Sequence, residues 1–522
     1  MQLKDCVIGI EFGSTRIKSV LADGKGNVLA NGSHTWENRF ENGVWTYSRQ
    51  DIIGGMQSCY ADLKADVFKK FGVKLTEVGA IGISAMMHGY LVLDKDDNIL
   101  TPFRTWRNNN ATEAAEKLTE IFGYPVPARW SIAHLYQAIL NGEKHVKDIA
   151  FQTTLEGYVH YLLTGEKVIG IDEASGMFPV DSNLKDFDKE RTKLFDKLVS
   201  VKEGVSFTLK QIFPKVLVAG DKAGCLTQSG AKLLDLDGDL KSGIPFCPPE
   251  GDAATGMVAT NAVKKGTGNV SAGTSIFGMV VLDRALNKVH PEIDLVVTPV
   301  GDPVAMVHCN NCSSDINAWV NVFADFAKRL GTDISHGELY KLLFNASLEG
   351  DSDCGGVLAY NFVSGENIAN VAEGRPMVVR KTESNFTLPN LMRSHIYSSM
   401  ATLKIGIDIL LKQENIKINS IVGHGGLFKT EKVAQQYLAN AVGSPVTVMQ
   451  TAGEGGAWGM ALLALYFKDG KGSSLDTYLN EKIFSAMSSE TVKPDKNSDG
   501  IEKFMAQYKN GLSVVRKAVE TL

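Results

Sequence analysis

Seven cysteines in 522 residues leave little from which to build a disulfide framework, and an odd, thinly spread set fits reduced thiols better than paired ones. Long apolar runs are also missing. Nothing approaches the roughly 20 consecutive apolar residues that span a bilayer, and the first short run is broken by Glu11, which is not the form of a secretory signal. Neither charge dominates: 54 Lys and Arg against 59 Asp and Glu leave a net charge of −5. No basic face for nucleic acid or an anionic membrane is implied. A Walker pattern is absent too, because Gly24-Lys25 and Gly470-Lys471 are each followed by Gly instead of Ser or Thr. These absences argue against secreted disulfide scaffolds, membrane spans, nucleic-acid binders and P-loop proteins. The expectation is a cytoplasmic protein with no nucleic-acid or membrane partner.

What is present is a duplication. The segment Ile8 to Asp23 recurs in outline at Val270 to Asp283. In each copy an apolar strand enters a Gly-hydroxyl-hydroxyl turn and leaves as a second apolar strand ending in Asp. Gly13-Ser14-Thr15 and Gly273-Thr274-Ser275 therefore read as turns that bring bare backbone and hydroxyl donors to an anion. Two such turns facing across a cleft suggest a nucleoside triphosphate.

The length exceeds one ordinary core, so two large domains are expected. An apolar fraction of 44% and a charged fraction of 22% are those of a globular chain. Strands at Val7–Ile10, Lys18–Ala22 and Val28–Asn31 read as a meander. A helix from Ser48 to Lys70 and a buried strand from Val78 to Ser84 follow. Residues 110–210 are mostly helical in pattern, with Leu155–Leu163 stopped by Gly165. Pro245, Pro248 and Pro249 break the chain, which places domains at 1–248 and 249–522. Beyond them come a helix at Ser394–Leu411, a strand at Ile418–Val422, Gly423-His424-Gly425-Gly426, and a helix at Thr430–Ala441. A strand at Val446–Met449, Gly453-Glu454-Gly455-Gly456, an apolar helix from Ala457 and a closing helix at Ile501–Val519 complete an α/β pattern. Cys309-Asn310-Asn311-Cys312, after His308, has neither a second ligand pair nor a thioredoxin-like setting, and reads as two buried residues leading into a helix at Asp315–Phe326.

Several positions could carry chemistry. Glu11 precedes the first turn; a lone strand Glu is more often an edge or ion-pair residue, but a carboxylate beside a polyphosphate calls for a divalent cation. Asp252, in Glu250-Gly251-Asp252, is ordinary turn chemistry in isolation. At a domain boundary it could accept the proton of a substrate hydroxyl attacking a γ-phosphate. Met87-His88 closes a buried strand, where α/β folds present ligand contacts. Trp106-Arg107-Asn108-Asn109-Asn110 offers a ring face, a cation and amides that suit a polyol, or equally an Asn-rich helix cap. The two late glycine runs could seat an adenine or ribose.

Taken in order, Ile8–Asp23, Ser84–Gly89, Thr164-Gly165-Glu166 with Glu173-Ala174-Ser175, Glu250–Gly256, Ser271–Ser275 and Gly423–Gly426 resemble the motifs of the FGGY carbohydrate kinases, within the actin, Hsp70 and sugar kinase superfamily. The resemblance spans nearly the whole chain. It implies an α/β fold of two RNase H-like (actin-like ATPase) domains, with a nucleotide and sugar cleft between them. It implies ATP and Mg2+ as cofactors and Asp252 as the base that activates a primary hydroxyl of a small-molecule sugar. Carried over to this chain, the substrate contacts are Met87, His88, Trp106, Arg107, Asn109 and Asp252. The nucleotide contacts are Gly13, Ser14, Thr15, Lys18, Gly273, Thr274, Ser275, Gly425 and Gly426, and the metal contacts are Glu11 and Asp252. The Met-His pair and the length resemble xylulose and ribulose kinases, so a ketopentose of the D-xylulose or L-ribulose type is the preferred substrate. A methylpentulose, hexulose or glycerol kinase, or a non-catalytic nucleotide-gated binding protein, is the alternative. Three departures stand out: Glu11 where the family usually has Asp, Trp106-Arg107-Asn108-Asn109-Asn110 in place of Trp-Asn-Asp-x-Arg, and His424 inside the glycine run. No self-complementary surface is legible, which leaves a homodimer open.

Overall fold

The first repeat is a hairpin in the computed structural model of the chain, which describes residues 2–202, 204–449, 455–495 and 499–522. Strand β1 (Val7–Phe12) pairs antiparallel with β2 (Arg16–Ala22), and β3 (Val28–Thr35) completes the meander. Helix α1 (Arg49–Phe71) starts at Ser48, which forms a capping box with Asp51, and stops at the left-handed Gly72. Its buried residues Ile52, Met56, Tyr60, Leu63 and Val67 keep three- and four-residue spacing, and the helix packs on β3. The chain then returns as β4 (Ala80–Ala85), parallel to β1. Helix α2 (Leu155–Thr164) ends at Gly165, whose φ of 77° only glycine adopts readily. Helix α3 (Ile171–Met177), the short strand β5 (Glu250–Gly251) parallel to β4, and helix α4 (Asp252–Ala259) follow. The sheet order is β5-β4-β1-β2-β3.

The second repeat forms its own hairpin, β6 (Thr267–Ala272) and β7 (Ile276–Val281). After it come β8 (Pro303–Cys309), α5 (Ser314–Arg329), α6 (Leu388–Asp408) and β9 (Ser420–His424), then α7 (Val433–Val442) and β10 (Val446–Met449). β9 runs parallel to β6, and β10 parallel to β9. Helix α8 (Gly455–Asp469), edge strand β11 (Ser489–Val492) and α9 (Asp499–Thr521) finish the chain. The order β8-β7-β6-β9-β10 repeats that of the first sheet strand for strand, with β11 added at one edge and the short strand Asp294–Val297 at the other. The duplication seen in two turns thus extends to whole sheets.

Two compact units result. One comprises Met1–Val263, Leu295–Val304 and Gly453–Ala486, and the other Lys264–Asp294, Ala305–Ala452 and Met487–Leu522. Against a sequence-based division at 248/249, residues 249–263 lie in the first unit, where β5 extends the sheet and α4 packs on α8. Gly453 and Glu454 of the second glycine run lie outside the described residues. Gly455 and Gly456 are already helical, two residues before the expected start at Ala457, and they belong to the first unit. Among the described residues no helix is long and apolar enough to cross a membrane.

Candidate active site

The first turn is held from behind through its carbonyls. Gly13 O accepts the Trp36 indole N–H at 2.7 Å, Ser14 O accepts the Tyr47 hydroxyl at 2.6 Å, and Thr15 O accepts the Trp36 backbone N–H at 3.2 Å. Trp36 and Tyr47 stack at 4.0 Å between ring centroids, so the two side-chain donors support each other. The Ser14 hydroxyl oxygen accepts the Trp106 indole N–H at 3.1 Å. The backbone N–H groups of Ser14 and Thr15 meet no acceptor among the described residues. Carbonyls turned inward with amides left over is the arrangement an anion needs.

Glu11 is the last but one residue of β1 and stands opposite Lys18 on β2. Its Oε2 lies 3.8 Å from Lys18 Nζ and accepts no hydrogen bond among the described residues. Burial pushes the Glu11 carboxyl up; Lys18 opposes the rise, and the nearby charge of Asp252 adds to it. Helix α8 closes over this carboxyl at Gly456, where a Cβ would lie 2.3 Å from Glu11 Oε1. Only glycine leaves that space.

Asp252 opens α4, one residue after β5, and its Oδ1 accepts the Met87 N–H at 3.1 Å. The base candidate and the start of the Met87-His88 segment are thereby in direct contact. Asp252 is exposed, yet desolvation by surrounding protein raises its carboxyl, against the N–H groups of Met87, Asp252 and Ala253. Solvent access limits that rise. His88 is buried with φ at 74°, a conformation that costs energy in a non-glycine residue. Its backbone N–H donates to Glu173 Oε1 at 2.8 Å, and its Nδ1 lies 3.3 Å from Gly176 O.

Beneath Asp252 lies a layer of acids that sequence reasoning did not pick out as functional. Glu156, Asp172, Glu173 and Glu250 are all buried. Asp172 Oδ2 accepts the Ala254 N–H at 3.3 Å, and Glu250 Oε2 accepts the Asp172 N–H at 3.2 Å. A Cβ on Gly251 would fall 2.6 Å from Glu173 Oε2 and 2.9 Å from Asp172 Oδ2, so this glycine is what lets the acids pack against the residue before Asp252. Burial first, and mutual repulsion after it, drives all four carboxyls upward. In the sequence, Glu173-Ala174-Ser175 and the first residue of Glu250-Gly251-Asp252 stand in motifs, but no role attaches there to either glutamate.

The sugar-binding candidates on the 106–109 segment divide. Trp106 is 38% exposed, while Arg107 stacks its guanidinium 3.9 Å above the Trp45 ring. Asn109 is exposed and lends its carbonyl to Thr112 Oγ1. Asn108 is structural: its amide exchanges two 2.8 Å hydrogen bonds with the Trp45 backbone.

In the second unit, Gly273 O accepts both the backbone N–H and the hydroxyl of Ser313, and Thr274 O accepts the Cys312 N–H at 3.0 Å. Cys309 and Cys312 are buried free thiols, and the residues entering α5 hold this turn as Trp36 and Tyr47 hold the first. Gly425 (φ 107°) backs onto Ala272 O, which places Gly425-Gly426 beside the turn. His424 pairs with Ser271 across the sheet; its Nε2 is buried without a hydrogen-bond partner among the described residues, and burial lowers its basicity.

Two units of repeated topology, each with an anion-ready hairpin turn and one with a carboxylate against a strand-end histidine segment, define a phosphotransferase of the actin-like ATPase fold. Residues 6–259 match the N-terminal domain model, and 268–467 the C-terminal domain model, of the FGGY family of carbohydrate kinases. The chain belongs to that family, whose members use ATP to phosphorylate small-molecule sugars. It is 25% identical over 399 residues to a xylulose kinase of Haemophilus influenzae, covering 74% of this chain and 75% of that one. Its fold superposes on ligand-bound xylulose kinase from Lactobacillus acidophilus with a TM-score of 0.77 at 18% identity, covering 99% and 98% of the two chains. On Plasmodium falciparum glycerol kinase with ADP the TM-score is 0.75 at 15% identity, covering 98% of each. Identities this low establish the fold and leave the substrate to the site.

Proposed function

We propose that this kinase transfers the γ-phosphoryl group of ATP to a primary hydroxyl of a ketopentose of the D-xylulose or L-ribulose type. The observation that carries the reading is the Asp252 carboxylate on the Met87 N–H, next to His88. Asp252 accepts the proton of the attacking hydroxyl. Met87 and His88 hold the sugar, with Trp106, Arg107 and Asn109 at its other face. The nucleotide is assigned to Gly13, Ser14, Thr15 and Lys18 of the first unit and to Gly273, Thr274, Ser275, Gly425 and Gly426 of the second. The xylulose kinase relatives support a pentulose, although the Trp106–Asn110 segment differs from their usual pattern.

The donor set also fits Mg2+. This ion takes one or two carboxylates plus substrate phosphate oxygens. Glu11, with one oxygen lacking a hydrogen-bond partner among the described residues, and Asp252 are near enough to repel each other. Among the described residues no group of three protein ligands forms a self-sufficient cation site. When bound, the ion would neutralise charge developing on the transferred phosphoryl group.

A panel of pentuloses, hexuloses, methylpentuloses and glycerol tests the reading by sugar-dependent ADP release. One pentulose is expected to dominate. Asp252→Asn should lower turnover by about 100-fold or more while sugar binding persists. Near-normal turnover in that variant removes Asp252 as base. ATP turnover indifferent to every sugar would instead favour a nucleotide-gated binding protein.

A further inference from the structure

A tryptophan indole carries one polar atom, a donor; a serine hydroxyl has one proton and two lone pairs. With Trp106 Nε1 3.1 Å from Ser14 Oγ, the indole proton occupies a lone pair and leaves the hydroxyl's own proton to be given away. Among the described residues the acceptor it meets is the thioether of Met86, 4.0 Å away and weak. The segment under Trp106 is fixed. Thr105 N–H donates to Trp45 O, Asn108 is bonded to the Trp45 backbone, and Arg107 lies on the Trp45 ring. The indole N–H then fixes the remaining rotation of an otherwise exposed ring.

We propose that Trp106, which the sequence places among sugar contacts, is also a positioning residue for the nucleotide: its indole N–H orients the Ser14 hydroxyl so that the hydroxyl proton is delivered to a phosphate oxygen. This rests on the assignment of the first turn to nucleotide phosphates, and it does not depend on which sugar is phosphorylated. The Ser14 oxygen stays the acceptor for the indole and becomes the donor to the phosphate, so the two bonds polarise each other in series.

A double-mutant cycle tests it. A non-hydrolysable ATP analogue is titrated by calorimetry, with no sugar present, into the wild type, Trp106→Phe, Ser14→Ala and the double variant. Phenylalanine keeps an aromatic face and removes only the donor, Ser14 is half-buried and Trp106 exposed, and folding is checked by matching thermal midpoints. Each single change is expected to weaken analogue binding about 3- to 10-fold, and the double no more than the weaker single. In turnover, Trp106→Phe should raise the KM for ATP by a larger factor than the KM for the sugar, whereas a purely sugar-side role would move only the latter. Losses that multiply in the double variant, or wild-type analogue affinity in Trp106→Phe, overturn the proposal. Because the calorimetric arm contains no sugar, failure of every pentulose in the panel would remove the substrate assignment and leave this result standing.

Discussion

Glu156 is buried, with one carboxyl oxygen on the Thr154 hydroxyl and the other without a hydrogen-bond partner among the described residues. Burial pushes its carboxyl up to about 7 from an ordinary 4.5. Asp172, Glu173 and Glu250 shift the same way and for the same first reason, and Asp252 adds repulsion from the surface side. Between the ordinary value and about 7 the folded chain holds a proton on Glu156 that the unfolded chain has lost. Stability from this group is therefore full below pH 4.5 and falls as the pH rises through 7. The urea midpoint should be lower at pH 8 than at pH 5.5, and Glu156→Gln, which cannot ionise, should narrow the gap. Equal midpoints for the wild type at both values would contradict the buried neutral acid. None of this was legible in the sequence, because Glu156 sits in an apolar helical stretch and its acidic neighbours come from three other elements.

At the scale of elements, local chemistry was legible and distant closure was not. The start of α1 follows from Ser48 and Asp51, which cap it within one turn, and the end of α2 from Gly165, which needs no partner elsewhere. The start of α8 differs. A glycine run reads as a loop by composition, yet Gly455 and Gly456 are helical, and Gly456 earns its place by admitting Glu11 of β1. Gly456→Ala should fold, since alanine favours a helix and the clash falls on the end of a movable side chain. It should nonetheless displace the Glu11 carboxyl, lower kcat by about 100-fold and raise the Mg2+ concentration needed for half-maximal rate. Steady-state kinetics at graded Mg2+ check this, and a wild-type Mg2+ requirement would take Glu11 out of the metal assignment.

At the scale of the whole molecule, neither unit is one continuous stretch. The first takes up Leu295–Val304 and Gly453–Ala486 in addition to residues through Val263. A fragment ending at Val263 lacks α8, which packs on β1, β4 and α4 and supplies the glycine over Glu11. Such a fragment would expose apolar faces of the sheet and should be protease-sensitive and without a cooperative thermal transition. Limited proteolysis and calorimetry of fragment 1–263 measure this, and a sharp transition would show that α8 is dispensable. The proline-rich stretch before Glu250 looked like a natural boundary because prolines interrupt local structure. What holds residues 249–263 in the first unit is the pairing of β5 with β4, a contact across the chain that no local pattern records.

By itself the sequence determined the duplicated hairpins, the α/β alternation, the caps that start or stop α1 and α2, and the family. Each follows from residue spacing and turn chemistry acting over a few neighbours. Only the tertiary structure decided that Asp252 lies on Met87, that Trp106 reaches Ser14, that Trp36 and Tyr47 carry the first turn, and that four buried acids underlie Asp252. Those relations join residues from separate elements, and they exist because sheet order and helix packing bring the chain back on itself, where burial then changes what each group can do.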